Sequence, residues 1–319
     1  MEKVRFLVIG TNFISDNFCR AADKVDIAEI SAVYSRKLDT GKTFAAKYGI
    51  KKVYNSLDEA LLDSEIDAVY VASPTFMHKE HTEKSLRSGK HVLCEKSIAL
   101  NSSELSEMIR VAREEDRVLL EAMRPAFDPA LSVIKSAIAK IGRVRRASLE
   151  YCQYSSRYDK FKAGIVENAF NPDIGNSALS DIGVYPLWFA IELFGYPCSI
   201  KSQKIYLENG FLGMGVSSLN YVDKLVTVTY SKITESTTPS VIEGEAGSVI
   251  IDRVSPTSRI YLKLRGKEAE LLDYKPSENN MIYEIDAFAR MVRGEIDFLP
   301  YLKKTEMVMK AEDEIHLSE

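Results

Sequence analysis

The sequence predicts an α/β chain, with an N-terminal domain on a doubly wound parallel sheet and a C-terminal α+β domain on a large open, mainly antiparallel sheet. Three observations predict it. The first 122 residues alternate short β-rich runs with segments of helical spacing. A glycine turn stands directly behind the first of those runs, where dinucleotide-binding folds carry one. Past Arg124 the rhythm changes to long β-rich runs with few helices between them.

Taken in order, strands are expected at 4–9 and 29–34, near Val53, and at 68–72, 91–94 and 118–121. Helical spacing fills 38–48, 57–62, 78–88 and 102–116, and Gly89 ends the third of these as a C-terminal glycine does. At 319 residues the chain exceeds the roughly 250–300 at which one core stops growing. Domains are therefore expected at 1–122 and 123–319, with the last helix packing back on the first. In the second domain, 144–154, 200–207 and 225–231 read as strands. The run from Leu225 to Tyr230 alternates apolar with polar residues, which suits a sheet with one packed face and one free face. The free face is a candidate surface for a homodimer.

Composition excludes several roles. A net charge of -4 gives no electrostatic footprint for nucleic acid, and no run of about 18 apolar residues is present to span a membrane. Residues 1–10 read as a strand rather than a leader, so the expected location is cytoplasmic. The four cysteines, Cys19, Cys94, Cys152 and Cys198, are widely spaced and read as buried thiols. His78 and His81 lie three apart on a helix but lack acids or thiols to complete a metal shell, so no metal is expected.

After the first strand comes Gly10-Thr11-Asn12-Phe13-Ile14-Ser15, at the position of G-x-G-x-x-G. Only the first glycine is kept. Asn12 tolerates a positive φ and Ser15 is small, so both fit their positions, and Ser15 or Asp16 is placed to cap the following helix. The second strand ends in Tyr34-Ser35-Arg36-Lys37 with no acid at its tip. An acid there binds a ribose 2′-hydroxyl, whereas arginine pairs with a 2′-phosphate, so NADP(H) is favoured. Asp39 keeps NAD(H) open.

Further segments carry a family resemblance. Residues 71–78, VASPTFMH, resemble a (T/S)-P-N-x-x-H loop, and 89–97, GKHVLCEKS, resemble G-K-H-V-(L/F)-x-E-K-P. Residues 120–130, 175–186 and, more weakly, 242–248 continue the likeness. The whole chain resembles the glucose-fructose oxidoreductase/inositol dehydrogenase (Gfo/Idh/MocA) family, which implies a Rossmann domain, a nicotinamide cofactor and a sugar-like substrate. The resemblance implies cofactor contacts from Gly10, Thr11, Asn12, Phe13, Ile14, Ser35, Arg36, Lys37, Ser73, Pro74, Thr75, His78, Glu95, Lys96 and Arg124. It places Lys96 beside nicotinamide and substrate, with Glu95 supporting the loop. Ser97 stands where the family has proline, which removes a φ restraint from that loop.

In the second domain Asp181 and Tyr185 are four residues apart on an expected helix and share one face. Many relatives have histidine at the second position; tyrosine resembles the dimeric dihydrodiol dehydrogenase and sugar dehydrogenase subgroup, where it serves as acid/base. The implied reaction is hydride transfer between nicotinamide and a carbinol or carbonyl carbon, with Tyr185 exchanging the oxygen-bound proton. A free phenol ionises near pH 10, so acid/base work at neutrality needs roughly 4 kcal/mol in favour of the phenolate. An ammonium such as that of Lys96 supplies part of it, and Asp181 orients the substrate hydroxyl or the lysine. Arg124, Tyr154, Arg157, Tyr158 and Asn176 offer the mix of donors and rings that suits a polyhydroxylated ring. The rival reading is a non-catalytic dinucleotide-binding scaffold or sensor of the same fold.

Overall fold

The structure is a computed structural model describing residues 3–318. They form two compact units: the chain up to Phe127 with Glu278–Lys303, and Asp128–Ser277 with the chain from Lys304. The first unit thus runs past residue 122 and takes in a segment from near the far end of the chain.

In the first unit the elements are β1 (Val4–Ile9), α1 (Phe13–Ala22), β2 (Ala28–Tyr34), α2 (Leu38–Ala46), β3 (Lys52–Tyr54), α3 (Leu57–Leu61), β4 (Ala68–Val71), α4 (His78–Arg87), β5 (His91–Glu95), α5 (Ser102–Glu114) and β6 (Leu119–Ala122). The six strands run in the order β3-β2-β1-β4-β5-β6, every pair parallel. Burial on both faces explains why β1 reads Val-Arg-Phe-Leu-Val-Ile with almost no alternation. The strand order reverses between β1 and β4, which opens a crevice at the strands' carboxyl ends, where open α/β sheets take their ligands.

His91 at the start of β5 ties that strand to the next, because its Nδ1 accepts the Val118 N–H at 3.0 Å. Burial, then the Arg117 charge, lowers the imidazole pKa to about 4. Since the folded value lies below the ordinary 6.5, this bond's stabilisation is complete above pH 6.5 and is lost as pH falls toward 4. Part of the ring is solvent-exposed, so the effect is about 1–2 kcal/mol after allowance for screening. Thermal unfolding should show His91→Asn, which keeps an acceptor, losing less stability between pH 6.5 and 4 than the wild type; equal losses would refute the assignment.

The second unit begins with α6 (Ala130–Ile138), β7 (Val144–Cys152), α7 (Ser156–Lys162), a π-turn at Leu179–Gly183 and α8 (Val184–Phe194). Then follow β8 (Ser199–Tyr206), β9 (Leu212–Asn220), β10 (Leu225–Ser231), β11 (Ser240–Gly244), β12 (Gly247–Ile251), β13 (Ile260–Leu264) and β14 (Glu270–Leu271). The eight strands run β14-β13-β12-β11-β7-β10-β9-β8, antiparallel except for β7 with β10. The alternation of β10 is realised: Val226, Val228 and Tyr230 are buried, while Leu225 is exposed and Thr227 and Thr229 half-buried.

The chain ends with α9 (Met281–Val292) and α10 (Leu299–Leu317). It is α9, with only the start of α10, that belongs to the first unit, rather than the last helix as expected. Met281, Ile285 and Phe288 form a buried stripe at helical spacing, and Phe288 packs on Phe6 with ring centroids 5.7 Å apart. The rest of α10 is held in the second unit, where Lys304 pairs with Glu192 and Glu314 accepts from the Tyr196 hydroxyl. Of the cysteines, Cys19 and Cys94 are buried, but Cys152 is half-buried and Cys198, in the loop before β8, is exposed, against the expectation of four buried thiols.

Candidate active site

The first unit builds a cavity of about 620 Å³ at the carboxyl ends of β1, β2 and β4. Gly10, Thr11 and Asn12 line it after β1, Ser35, Arg36 and Lys37 after β2, and Ser73 and Pro74 after β4. Gly10 has φ +105°, and a Cβ there would lie 2.7 Å from the Ala72 carbonyl oxygen, so only glycine lets the turn close. Asn12 departs from expectation. Its φ is -90°, not positive, and its carboxamide oxygen accepts from Ile14 N at 3.0 Å and Ser15 N at 3.2 Å. Asn12 is therefore the helix cap, in place of Ser15 or Asp16, because a cap needs extended backbone and a side-chain acceptor. Its amide nitrogen also donates to Ala72 O at 3.1 Å, fixing the turn against β4. The start of α1 faces this cavity, where amide N–H groups and the helix dipole favour a phosphate.

The other expected cofactor residues, Phe13, Ile14, Thr75, His78, Glu95, Lys96 and Arg124, are not among the residues that line this cavity. Phe13 is exposed at the first position of α1, and Ile14 packs into the core. Thr75 begins a short turn ahead of α4. His78 is buried and does not line the cavity; its Nε2 lies 2.8 Å from Ser73 O and its Nδ1 2.9 Å from Ser97 O. It thereby joins the loop after β4 to the loop that carries Lys96. Burial lowers its pKa to about 4 against the pull of the two carbonyls. His81, considered at the sequence level only as a metal ligand, lines the cavity and holds Ser73 Oγ at 2.9 Å from Nδ1. Thr40 lines it as well, and Asp39 is absent from the lining. The sole sequence signal for His81 is its place one helical turn after His78.

Lys96 follows the last residue of β5, and Arg124 opens a short turn after β6, so both stand at the carboxyl edge of the sheet. The Lys96–Ser97 peptide is cis. Glu95 is held from beneath by the Tyr70 hydroxyl, which donates to Oε1 at 2.5 Å, while the Lys96 N–H reaches Oε2 at 3.3 Å. Glu284 on α9, which no motif marked, is fully buried with no hydrogen bond to either carboxyl oxygen. Burial and then the Glu95 charge push its pKa well above the usual carboxylate range, with Arg124 opposing.

In the second unit, Asp181 lies in the π-turn and Tyr185 in the first turn of α8. The expected uninterrupted α-helix is therefore widened at Asp181, a distortion frequent at functional sites. Gly183, the last residue of the turn, lies against the Tyr230 ring, where a Cβ would sit 2.7 Å from its Cγ. Tyr185 is buried with its ring 5.8 Å from that of Tyr151, and Asp181 is half-exposed and pairs with Lys232 at 2.8 Å. The expected pocket residues are engaged locally. Tyr154 donates to Asp159, Arg157 pairs with Glu167, Asn176 donates to Asn168 O, and Tyr158 packs on Phe161 and Phe170. Among the described residues no group of three His, Cys, Asp or Glu is placed to hold a metal ion.

Residues 4–123 match the oxidoreductase family with an NAD-binding Rossmann fold, Gfo/Idh/MocA. A scyllo-inositol 2-dehydrogenase (NADP(+)), IolU, of Bacillus subtilis is 39% identical over 91% of this chain and 88% of its own. The chain belongs to the Gfo/Idh/MocA family. As a member it is an oxidoreductase that binds a nicotinamide dinucleotide, and the glycine turn, helix start and basic strand tip fit that group. Another relative, the trans-1,2-dihydrobenzene-1,2-diol dehydrogenase of Xenopus tropicalis, is 31% identical over 80% of this chain and 77% of its own. The same fold occurs in a 3-ketoreductase from Actinomadura kijaniata in complex with NADP and TDP-benzene, at TM-score 0.90 and 22% identity over 99% of this chain and 98% of that one.

Proposed function

We propose that this Gfo/Idh/MocA member is an NADP(H)-dependent dehydrogenase or reductase acting on a secondary hydroxyl, or the matching ketone, of a sugar, polyol or cyclic diol. The observation that carries the reading is the near full-length relation to an enzyme named as an NADP-dependent inositol dehydrogenase. The dihydrodiol dehydrogenase supports the substrate class, since both named substrates carry neighbouring hydroxyls on a six-membered carbon ring.

The roles follow from the residues. Arg36 and Lys37 bind the 2′-phosphate, and the start of α1 binds the pyrophosphate. When bound, the nicotinamide supplies or accepts the hydride. Tyr185 takes the proton from the substrate hydroxyl in oxidation and returns it in reduction. Lys96 hydrogen-bonds the substrate oxygen and favours the deprotonated phenol. Asp181 orients the hydroxyl being oxidised. Turnover of NADP⁺ against a panel of inositols and cyclic diols, followed by the reduced-nicotinamide absorbance, should find at least one substrate. Intact NADPH binding with no turnover in either direction across the panel would favour the scaffold reading.

The proposal includes a homodimer through the eight-stranded sheet. Its outward face presents Ile205, Val216 and Leu225, all exposed, among the half-buried Thr227 and Thr229. Sedimentation at micromolar concentration should give the dimer mass, and a monomer alone would refute it.

A further inference from the structure

We infer that Lys232 is a positioning residue for the reaction: a buried ammonium caged by two phenylalanine rings that holds the Asp181 carboxylate from behind. The inference rests on the reading of Asp181 as the residue that orients the substrate hydroxyl. Lys232 comes directly after β10, and its backbone is pinned on both sides. Its N–H donates to Gly213 O at 2.9 Å, and its carbonyl accepts from Ser155 N at 3.0 Å. The side chain is 6% exposed. Nζ lies 2.8 Å from Asp181 Oδ2, 3.0 Å from Ala169 O, and 5.0 and 5.4 Å from the ring centres of Phe170 and Phe211. Both rings are fully buried.

The asymmetry of the pair argues for a task. Here the cation is enclosed while the Asp181 side chain is 45% exposed. The ammonium meets a carbonyl, two ring faces and a carboxylate, a set that compensates its burial and leaves it little freedom to turn. One carboxylate oxygen is anchored at a fixed point, and the outer part of the group stays accessible. The π-turn that carries Asp181 is thereby tied to the tip of β10 and, through Ala169 and Ser155, to the segment before it.

The test uses the full-length protein and compares Asp181→Asn, Lys232→Met and the double variant on the substrate found by the panel. Methionine packs between the two rings, and the Asp181 left behind is half-exposed, so folding should survive. A Lys232→Gln variant, which retains an amide donor, is the second probe, and melting temperature and calorimetric NADPH affinity are controls. The expected result is a rise of about 10-fold in KM for the substrate in Lys232→Met, with kcat changed less and NADPH affinity unchanged. Lys232→Gln should recover part of the loss. The double variant should be no worse than Asp181→Asn alone, because the lysine acts only through the acid. If Asp181→Asn impairs the enzyme while Lys232→Met does not, or if the two effects simply add, the inference about Lys232 is overturned and the reading of Asp181 stands. If Asp181→Asn has no effect, that reading itself fails and takes the inference with it.

Discussion

Tyr185→Phe should lower kcat by about 10²–10⁴-fold while NADPH affinity stays within roughly twofold of the wild type. The substitution removes one oxygen and keeps the ring, which is buried and packs on Tyr151. Lys96→Met should act in the same direction. It removes an ammonium at the carboxyl edge of the parallel sheet while keeping the length of the side chain. Steady-state kinetics and separate calorimetric titration with NADPH check both variants. Wild-type turnover in both would sink the proposed acid/base chemistry. A loss of cofactor binding in Lys96→Met alone would make that lysine a cofactor ligand rather than a partner of the proton transfer.

The parts of this molecule legible in the sequence are those where one local rule decides. The central strands β1 and β4 read directly because burial on both faces favours apolar runs, and Gly10 read directly because the turn against Ala72 admits no Cβ. The open sheet face read from the alternation in β10. What did not read needed contacts distant in sequence. Asn12 stands at the position of a glycine, and its role as a cap depends on where the helix begins, not on its tolerance of positive φ. In sequence Glu284 is one more charge on an amphipathic helix; only the folded unit buries it near Glu95, which raises its pKa. Lys232 follows a strand in a run that would pass for a solvated loop, and its enclosure depends on Phe170 and Phe211, which belong to two other segments. The π-turn left no trace in the spacing of Asp181 and Tyr185, and the close approach of the Tyr230 ring to Gly183 shows only in the fold.

Arg36→Ala should weaken NADPH by about 10–100-fold and leave NADH nearly unchanged, since a charge-assisted hydrogen bond to phosphate is worth roughly 1.5–3 kcal/mol. The geometry behind the expectation is the composition of the cavity wall after β2. Arg36, Lys37 and Thr40 line it, Ser35 adds a hydroxyl, and no carboxylate is among the lining residues. An acid at that wall would repel a 2′-phosphate, and its absence leaves two cations to receive one. Calorimetric titration of wild type and variant with each cofactor separates the possible roles of the arginine. If the wild type prefers NADPH and the variant loses that preference, Arg36 reads the phosphate. An equal loss for both cofactors would mean that the guanidinium acts on the part they share, the adenine, by stacking. In that case the discrimination passes to Lys37 and Thr40, the other polar groups on the same stretch of wall.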